Sequence, residues 1–405
     1  MKLSIITVIL LCLALCLTGC HRKSEFLNEP ELTATYDWMA GVSPVSGRRM
    51  GVVRGGLNLF SYAVSPSGIY FIPRASSNSE ANPTNASDTY ILYADYGSDR
   101  LNKLCGRTDC SHNNSDCNAY LYYGSDISYY QGNLYAVIGE GSQSEVCKLI
   151  RMSPDGSQHT ALFDILEYTK KQGGDYAYCD KMINGYCLFS IYRWEEAGDG
   201  SYTGVWMKQY KFKLDGSMKQ PTALENLGTP LYQCGDLLLS LFNENIDGQD
   251  IKTCWTLDLE TENRTYLTVH PGIPGWFGSE EAYYFRDGCI VCLNYATAEE
   301  EILLDTGLKG SYYLFSLPEC LVLASQGRGE EMDNNLYFYN WAFELVATVK
   351  LDFPLPNDAF SAVIAETAER VILTDDISSG FPRYYIEKSE LGNGNVQVHE
   401  FAYGT

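Results

Sequence analysis

Positive charge is scarce in this sequence. Its 405 residues include 29 Lys or Arg against 51 Asp or Glu, which gives a formal net charge of −22. Nucleic acids are bound largely through Lys and Arg contacts to phosphate. The composition therefore argues against nucleic acid as a partner, and against the body of the protein lying flat on an anionic membrane.

Recognisable catalytic motifs are also missing. The sequence contains no G-x-S-x-G nucleophile turn, no phosphate-binding Gly-rich loop and no H-E-x-x-H metal motif. It has 5 His, and His159, His270 and His399 are scattered without a visible partner. Acidic residues are abundant, but abundance alone selects no pair of carboxylates for glycoside hydrolysis.

Long hydrophobic runs are absent except at the start of the chain. Lys2 precedes an uncharged apolar stretch from Leu3 to Leu17, which is shorter than the roughly 20 residues that a membrane-spanning helix needs. A positive start, a short apolar core and small residues before a cleavage point are typical of a secretory signal peptide. We expect residues 1–19 to be that signal peptide.

The end of this stretch, Leu17-Thr18-Gly19-Cys20, resembles the lipobox of bacterial lipoproteins. The resemblance implies that Cys20 becomes the first mature residue and carries acyl chains such as palmitate. Two or three chains anchor a protein stably, whereas one holds it weakly. We expect a protein held on the extracytoplasmic face of the cell membrane by Cys20, with residues 20–58 as its tether; an ordinary signal peptide or a retained transmembrane helix are the alternatives.

The rest of the chain is rich in aromatic residues and poor in helical patterns. It has 31 Tyr, 16 Phe and 6 Trp, and tyrosine favours strands. Short apolar runs broken by Gly, Asp, Asn and Pro predict an all-β fold. Only Ile165–Lys171 and Ala362–Arg370 look able to form short helices.

The strand-like runs repeat along the chain. Units of two hairpins open near residues 60, 127, 177, 231, 281, 312 and 360, an average spacing of about 50 residues that is close to propeller repeats. We predict that residues 59–405 form a β-propeller of about seven four-stranded blades, which leaves only short, protected strand edges. Tandem β-sandwiches are the competing fold.

One segment concentrates metal-binding side chains. Within residues 104–120, three thiols and one imidazole fall in the spacing C-x4-C-x-H-x4-C, at Cys105, Cys110, His112 and Cys117. Three Cys and one His form a complete tetrahedral set for structural zinc. Such a polar loop needs something to fold around, and bound metal supplies it because binding energy becomes folding energy.

Two other interpretations of this loop stay open. Cys105 and Cys110, or Cys110 and Cys117, are close enough in sequence to form a disulfide, or all three thiols are reduced and unpartnered. The metal and the disulfide are both structural, because a Cys₃His set leaves no coordination position for substrate. Eight other cysteines lie singly in apolar runs and are expected to be buried free thiols: Cys147, Cys179, Cys187, Cys234, Cys254, Cys289, Cys292 and Cys320.

Together, the Cys-x4-Cys-x-His-x4-Cys loop, the lipobox and the propeller-like repeats resemble a group of propeller-like lipoproteins of Firmicutes. That resemblance implies a fold and a location but no activity. We therefore expect a monomeric, non-enzymatic binding or scaffolding module for a protein or a glycan. The alternative is a carbohydrate-active enzyme of the propeller type, a glycoside hydrolase or a lyase.

Overall fold

The structure, a computed structural model, describes the chain between residues 61 and 403. The stretches without a described placement inside this span are 74–87, 113–114, 125, 140–143, 184, 199, 225–228, 235–236, 247–248, 270–275, 278–280, 295, 318–319, 326–332, 354–362, 368 and 376–380. The predicted signal peptide, Cys20 and the tether lie outside the described residues. Across the part that is described, no helix is both long and apolar enough to cross a bilayer.

The first described part of the chain forms two antiparallel sheets and a separate strand pair. Its strands are β1 (Ser61–Val64), β2 (Gly68–Ile72), β3 (Asp88–Tyr90), β4 (Leu92–Asp95), β5 (Arg100–Lys103), β6 (Tyr120–Tyr122), β7 (Ile127–Tyr130), β8 (Asn133–Ile138), β9 (Lys148–Met152) and β10 (Thr160–Asp164). Strands β1, β2, β4 and β5 follow one another in sheet 1, and β7 to β10 form sheet 2. Strand β3 pairs with β6 outside both sheets.

A single short helix, α1 (Ile165–Lys171), follows sheet 2 and confirms the prediction for this segment. The Asp164 side chain accepts a hydrogen bond from the backbone N–H of Glu167 at 2.9 Å, which satisfies one of the free donors at a helix start. Ile165 and Leu166 are buried against the neighbouring sheets. The cap and this apolar contact explain why a helix forms in an otherwise β-rich chain.

Sheets 3 and 4 contain the longest strands. Sheet 3 consists of β11 to β14 and sheet 4 of β15 to β18, each in sequential antiparallel order. The strands are β11 (Tyr176–Ile183), β12 (Tyr186–Glu196), β13 (Tyr202–Lys213), β14 (Thr222–Leu224), β15 (Thr229–Cys234), β16 (Leu237–Ile246), β17 (Gln249–Asp258) and β18 (Arg264–Val269). The central hairpin of sheet 3, with strands of 11 and 12 residues, extends beyond its shorter neighbour β14.

The remaining chain forms three further sheets. Sheet 5 holds β19 to β22, sheet 6 holds β23 to β26 and sheet 7 holds β27 to β30. The strands are β19 (Trp276–Phe277), β20 (Glu281–Arg286), β21 (Cys289–Asn294), β22 (Glu300–Asp305), β23 (Tyr312–Ser316), β24 (Cys320–Ser325), β25 (Asn335–Asn340), β26 (Leu345–Lys350), β27 (Val363–Glu366), β28 (Arg370–Leu373), β29 (Tyr384–Glu387), β30 (His399–Glu400) and β31 (Ala402–Tyr403). A 3₁₀ turn at Lys388–Glu390 follows β29.

The all-β prediction is confirmed, and so is the four-stranded unit. Sheets 1 to 7 begin at residues 61, 127, 176, 229, 276, 312 and 363, within a few residues of the starts that the repeat predicts. Asp287-Gly288 closes its hairpin with φ values of 52° and 80°, and Gln131-Gly132 does so with 47° and 81°. Positive φ at both positions is the type I′ geometry that two-residue hairpins favour.

Among the described residues, several pairs of neighbouring sheets share hydrophobic clusters. Sheets 1 and 2 meet around Tyr70 and Leu134, and sheets 2 and 3 meet around Val137 and Phe189. The pairs 3 and 4, 5 and 6, and 6 and 7 have clusters of the same kind. Inner strands such as β2 and β24 are buried along their whole length, so both faces of these sheets need to be covered by a neighbour.

One buried carboxylate connects the first three sheets. Asp126 accepts hydrogen bonds from the Ser61 hydroxyl at 2.7 Å, from the Ile127 N–H at 3.1 Å and from the Met182 N–H at 2.7 Å. These donors lie at β1, β7 and β11 respectively. The Lys181 ammonium lies 3.9 Å away. Because buried polar groups require partners, this carboxylate fixes the positions of three sheets relative to one another.

The last described strand joins the first sheet. Strand β31 pairs in parallel with β5, with Ala402 opposite Arg100, and sheets 1 and 7 share a cluster that includes Phe71 and Ile372. Arg370 of β28 is buried, donates to the Glu387 carboxylate at 2.7 Å and to the Ser98 carbonyl, and stacks 4.1 Å from the Tyr385 ring. Side chains and backbone therefore connect residues far apart in sequence.

The helix predicted for Ala362–Arg370 is wrong. Val363–Glu366 is strand β27, and Arg370 begins β28. The Thr367 hydroxyl accepts a hydrogen bond from the Arg370 N–H at 3.0 Å, which stabilises a turn at the expense of a helix. Ala365 is buried between sheets 1 and 7, so tertiary pairing overrides a local sequence that suits either structure.

Candidate metal centre and an aromatic sheet face

The Cys/His loop runs between β5 and β6 and is fastened at both ends. The Leu104 N–H donates to the Ile91 carbonyl at 2.9 Å, and the Ile91 N–H donates to the Ala119 carbonyl at 2.8 Å. Leu104, Cys117 and Ala119 are buried in the cluster between sheets 1 and 2. The two ends of the loop are therefore held side by side by residues that belong to the core.

The four predicted ligands converge. The thiol sulfurs of Cys105, Cys110 and Cys117 and a ring nitrogen of His112 all lie within 4.8 Å of one another. The Cys117 Sγ is 3.6 Å from the His112 Nδ1, and the His112 N–H lies 3.4 Å from the Cys110 Sγ. His112 has a positive φ of 54°, a backbone bend that turns its ring toward the thiols.

The thiols differ in how readily they ionise. Burial and the neighbouring thiols together raise the pKa of Cys117 to about 12, although a backbone hydrogen bond from Ala119 acts in the opposite direction. Burial acts in the same sense on Cys105, but backbone N–H groups of Arg107 and Asn118 outweigh it and lower the pKa of that thiol. Three crowded thiolates repel one another, so a cation at their centre is what stabilises them together.

Two cationic side chains brace the loop. The Lys103 ammonium donates to the His112 carbonyl at 2.5 Å and lies 4.3 Å from the centre of the Tyr90 ring. The Arg107 guanidinium pairs with Asp109 at 3.2 Å and donates to the Asp116 carbonyl at 2.8 Å. A divalent metal with three thiolates and a neutral imidazole carries a net charge of −1, and the nearby Lys103 balances it.

The donor set fits a tetrahedral metal. With metal–sulfur bonds of about 2.3 Å, neighbouring sulfurs in a tetrahedron are about 3.8 Å apart, so the observed separations need only a small contraction. Cys105, Cys110 and Cys117 are free in the structure. The Cys₃His group is therefore able to bind a metal, and all four coordination positions would come from the protein.

The other cysteines behave as the sequence predicts, with one exception, wherever their side chains are described. Cys147, Cys179, Cys187, Cys292 and Cys320 are buried and form no disulfide, whereas Cys289, which was predicted to be buried, is half-buried. Of the predicted site residues, the loop ligands are brought together, and Cys20 lies outside the described residues. His159 and His399 are not part of the group: the first contacts the Gly156 carbonyl at 2.7 Å and the second pairs with Glu390 at 2.9 Å.

A second feature was missed by sequence reasoning. Five aromatic side chains share one face of sheet 3, which we call the aromatic face: Tyr178, Tyr192, Trp194, Tyr202 and Trp206. Their common orientation follows from the register, because residues directly opposite on neighbouring strands point to the same side. Four of them are exposed, Tyr178 at 38%, Trp194 at 39%, Trp206 at 42% and Tyr202 at 66%.

The aromatic face is built on an inner layer. Tyr176 is buried and packs parallel to Tyr192, with ring centres 5.3 Å apart, and lies 4.9 Å from Trp194. The Tyr176 hydroxyl lies over Gly204, and a Cβ atom added to Gly204 would lie 1.7 Å from the hydroxyl oxygen. The backbone N–H of Trp194 donates to the Asp175 carboxylate at 2.7 Å, which fixes the strand at this position. The rings are thus held in place before any ligand arrives.

A partly buried carboxyl closes the inner end of the aromatic face. Asp180 accepts hydrogen bonds from the Ser190 hydroxyl at 2.6 Å and from the Gln209 amide at 3.2 Å. Burial raises the pKa of Asp180 to about 6, although these two hydrogen bonds act in the opposite direction. The carboxyl therefore binds its proton more tightly in the folded chain than in the unfolded chain.

We expect Asp180→Asn to stabilise the protein above pH 7. The raised pKa means that the stability contributed by the protonated carboxyl is fully present below about pH 4 and is lost as pH rises through about 6. The neutral amide avoids this loss, which amounts to about 3 kcal/mol at 1.36 kcal/mol per pKa unit. Urea unfolding of both proteins at pH 4 and pH 7.5 measures the difference, and equal gains at both pH values would contradict the assignment.

The chain is only distantly similar to the known proteins with which it was compared. No protein-family model matches it, and no curated protein is similar to it in sequence. A puromycin-hydrolysing peptidase of Mycobacterium tuberculosis aligns with a TM-score of 0.48 and 13% identity over 89% of this chain and 56% of its own. This chain thus spans little more than half of that peptidase.

Two other solved structures align more weakly. TolB from Acinetobacter baumannii has a TM-score of 0.31 and 13% identity, covering 69% of this chain and 62% of its own. An oligogalacturonate lyase in complex with manganese has a TM-score of 0.33 and 10% identity, covering 65% and 72%. The neighbours are propeller-like proteins of mixed function, and at these identities the likeness concerns the fold alone.

Proposed function

We propose that this protein is a lipid-anchored binding module on the extracytoplasmic face of the cell membrane, and that it acts by binding a partner without transforming it. The aromatic face of sheet 3 carries the proposal. Exposed aromatic residues that form a continuous surface mark interaction sites in soluble proteins. Here they sit on a rigid sheet with a buried ring beneath them, which is the preorganisation that binding surfaces use.

The anchor part of the proposal rests on the sequence. The lipobox-like Leu17-Thr18-Gly19-Cys20 ends an uncharged apolar stretch that starts directly after Lys2. Acylation of Cys20 would attach the chain to the membrane, and residues 20–58 would tether the folded part. At about 3.3 Å per extended residue, such a tether reaches no more than about 130 Å, so the partner is one met close to the membrane.

The scaffold part of the proposal is a propeller with seven blades, formed by sheets 1 to 7. The support is the shared clusters between neighbouring sheets and the pairing of β31 with β5. Structural zinc held by Cys105, Cys110, His112 and Cys117 would stabilise the loop between the first two blades. A closed set of four protein ligands gives this metal a folding role and leaves the binding role to the sheet faces.

Site-specific photocrosslinking in the native host tests the binding function. We expect a photoreactive residue placed at Trp206 to form crosslinked products in the membrane fraction, because this side chain is exposed on the aromatic face. The same residue placed at Tyr122, which is exposed to a similar extent at 39%, is the control and should give none. A Cys20→Ala chain should leave the membrane fraction and lose the products there.

Two results would overturn this function. One is an equal yield of products from Trp206 and Tyr122, which would show that the aromatic face has no special partner. The other is the release of new sugar reducing ends or peptides when the purified protein is incubated with the partner that crosslinking identified. That release would show that the protein is an enzyme. Products of any chemical class that depend on Trp206 would support the binding module.

A further inference from the structure

We propose that the aromatic face of sheet 3 binds an uncharged glycan chain. This inference rests on the proposed binding function and names the class of its ligand. The inference is supported by an extended row of exposed rings that has carboxyl groups at its margins.

The shape of the aromatic face suits a chain molecule. Tyr178, Tyr192 and Trp206 lie on three neighbouring strands, and strands are about 4.8 Å apart. Trp194 and Tyr202 continue the row along the hairpin of β12 and β13. The rings therefore form a long row on one side of the sheet, in which Tyr178 stands edge-on to Tyr192. Such a row gives repeated contact positions to a polymer and little enclosure to a small molecule.

The chemistry at the margins suits hydroxyl groups. Asp175 is exposed beside Trp194, Asp180 closes the inner end of the face, and Glu196 is exposed opposite Tyr202 near the tip of the hairpin. Carboxylates accept hydrogen bonds and have several lone pairs for them. A sugar ring has an apolar C–H face, which packs on an aromatic ring, and hydroxyl groups at its edge, which donate to such acceptors.

The charges of the face exclude other stacking ligands. Single-stranded nucleic acids also stack on aromatic rings, but the proteins that bind them add a positively charged groove. Here Asp175, Asp180 and Glu196 lie at the margins of the rings, and the chain has a net charge of −22. The same charges repel anionic polysaccharides, which leaves uncharged glycans as the ligand class.

A peptide partner fits the face less well. Peptides that add a strand to a sheet need an edge with free backbone groups. Strand β12 is paired on both sides, with β11 and with β13, and a strand added to β13 beyond its pairing with β14 would lie beside the rings and leave them uncovered. Peptide helices bind in grooves lined by apolar side chains, and this face is a sheet surface. A glycan needs neither an open edge nor a groove.

Isothermal titration calorimetry on the full chain in detergent tests the inference. The probes are β-1,4-linked hexasaccharides of glucose, mannose and N-acetylglucosamine, together with purified neutral wall polysaccharide of the native host, and polygalacturonate is the anionic control. We expect at least one neutral probe to bind and polygalacturonate to show no binding. We expect Tyr178→Ala and Trp194→Ala each to weaken the Kd at least tenfold, because each removes a stacking position.

Matched variants keep the result interpretable. Tyr122→Ala removes an equally exposed tyrosine outside the face, 39% against 38% for Tyr178, and should leave the Kd unchanged. Gly204→Ala places a methyl group against the Tyr176 hydroxyl and should weaken binding without touching the ligand. Circular dichroism and urea midpoints verify that each variant is folded, and Trp206→Ala replaces any variant that is not.

The outcomes separate this inference from the proposed function. If no neutral probe binds, or if binding survives in the Trp194→Ala and Trp206→Ala chains, the glycan assignment is wrong. Protein crosslinks at Trp206 with no glycan binding would overturn the ligand class and leave the binding module standing. Binding followed by cleavage of the probe would support the ligand class and overturn the non-enzymatic function.

Discussion

Protein purified without oxygen is expected to contain one zinc ion per chain, and Cys110→Ser is expected to lose it. The four donor atoms already lie within 4.8 Å of one another, so metal binding needs little rearrangement. At a free zinc concentration a thousand times the Kd, the ion would stabilise the folded chain by about 4 kcal/mol. Elemental analysis measures the zinc, and urea unfolding with and without a chelator measures the stability.

The matched control for this experiment is Cys289→Ser. Cys289 is a half-buried free thiol like Cys110, but it lies on β21, in another sheet. The Cys289→Ser chain should retain the zinc, and a chelator should still lower its stability. Trypsin gives an independent readout, because Arg107 is already exposed and loss of the metal should loosen the loop and speed cleavage after this residue. A wild-type chain without metal, together with an unchanged unfolding curve for Cys110→Ser, would remove the zinc proposal and leave the disulfide or the free thiols.

Asp126→Ala is expected to lower the free energy of unfolding by about 3 to 5 kcal/mol. The carboxylate accepts hydrogen bonds from Ser61, Ile127 and Met182, which lie in three different sheets. Removing it leaves the buried Met182 N–H and the Ser61 hydroxyl without their acceptor, at about 1–3 kcal/mol each, while the Ile127 N–H keeps the Ser61 oxygen at 2.7 Å. It also leaves the Lys181 ammonium without its carboxylate partner. Urea denaturation followed by tryptophan fluorescence measures the change.

Two further variants define what this result means. Asp352→Ala removes an exposed carboxylate and should change the stability by no more than about 0.5 kcal/mol. Ser61→Ala removes one donor while the backbone donors keep their acceptor, so a smaller loss is expected. If Asp126→Ala were no more destabilising than Asp352→Ala, the carboxylate would not be what holds the first three sheets in register.

The repeats were predictable because they depend on local chemistry. Gly at the second position of a two-residue hairpin, as in Asp287-Gly288, marks turns without knowledge of what surrounds them. The helix at Ile165–Lys171 carries its own start signal in Asp164. The segment at 362–370 has no such signal, and its fate was decided by contacts with sheet 1. Local sequence patterns thus identified most strands and the helix, while tertiary contacts decided the structure of the ambiguous segment at 362–370.

The same distinction explains the two candidate sites. The four metal ligands lie within one short loop, so their spacing alone predicts that they can meet. The aromatic face combines residues of three strands, such as Tyr178, Tyr192 and Trp206, and it exists only because of their register. In a chain with 31 Tyr, single tyrosines carry no signal. Only the pairing of the strands shows which tyrosines lie together on an exposed side of the sheet.

The contact between the two ends of the described chain has a consequence for biosynthesis. Arg370 reaches the Ser98 carbonyl across 272 residues of sequence, and closing a loop of that length costs about 5 kcal/mol of chain entropy. Strand β5 therefore leaves the ribosome long before β31 exists to cover it. Until β31 is made, the first sheet has an open edge, which exposes it to aggregation and offers chaperones a binding site.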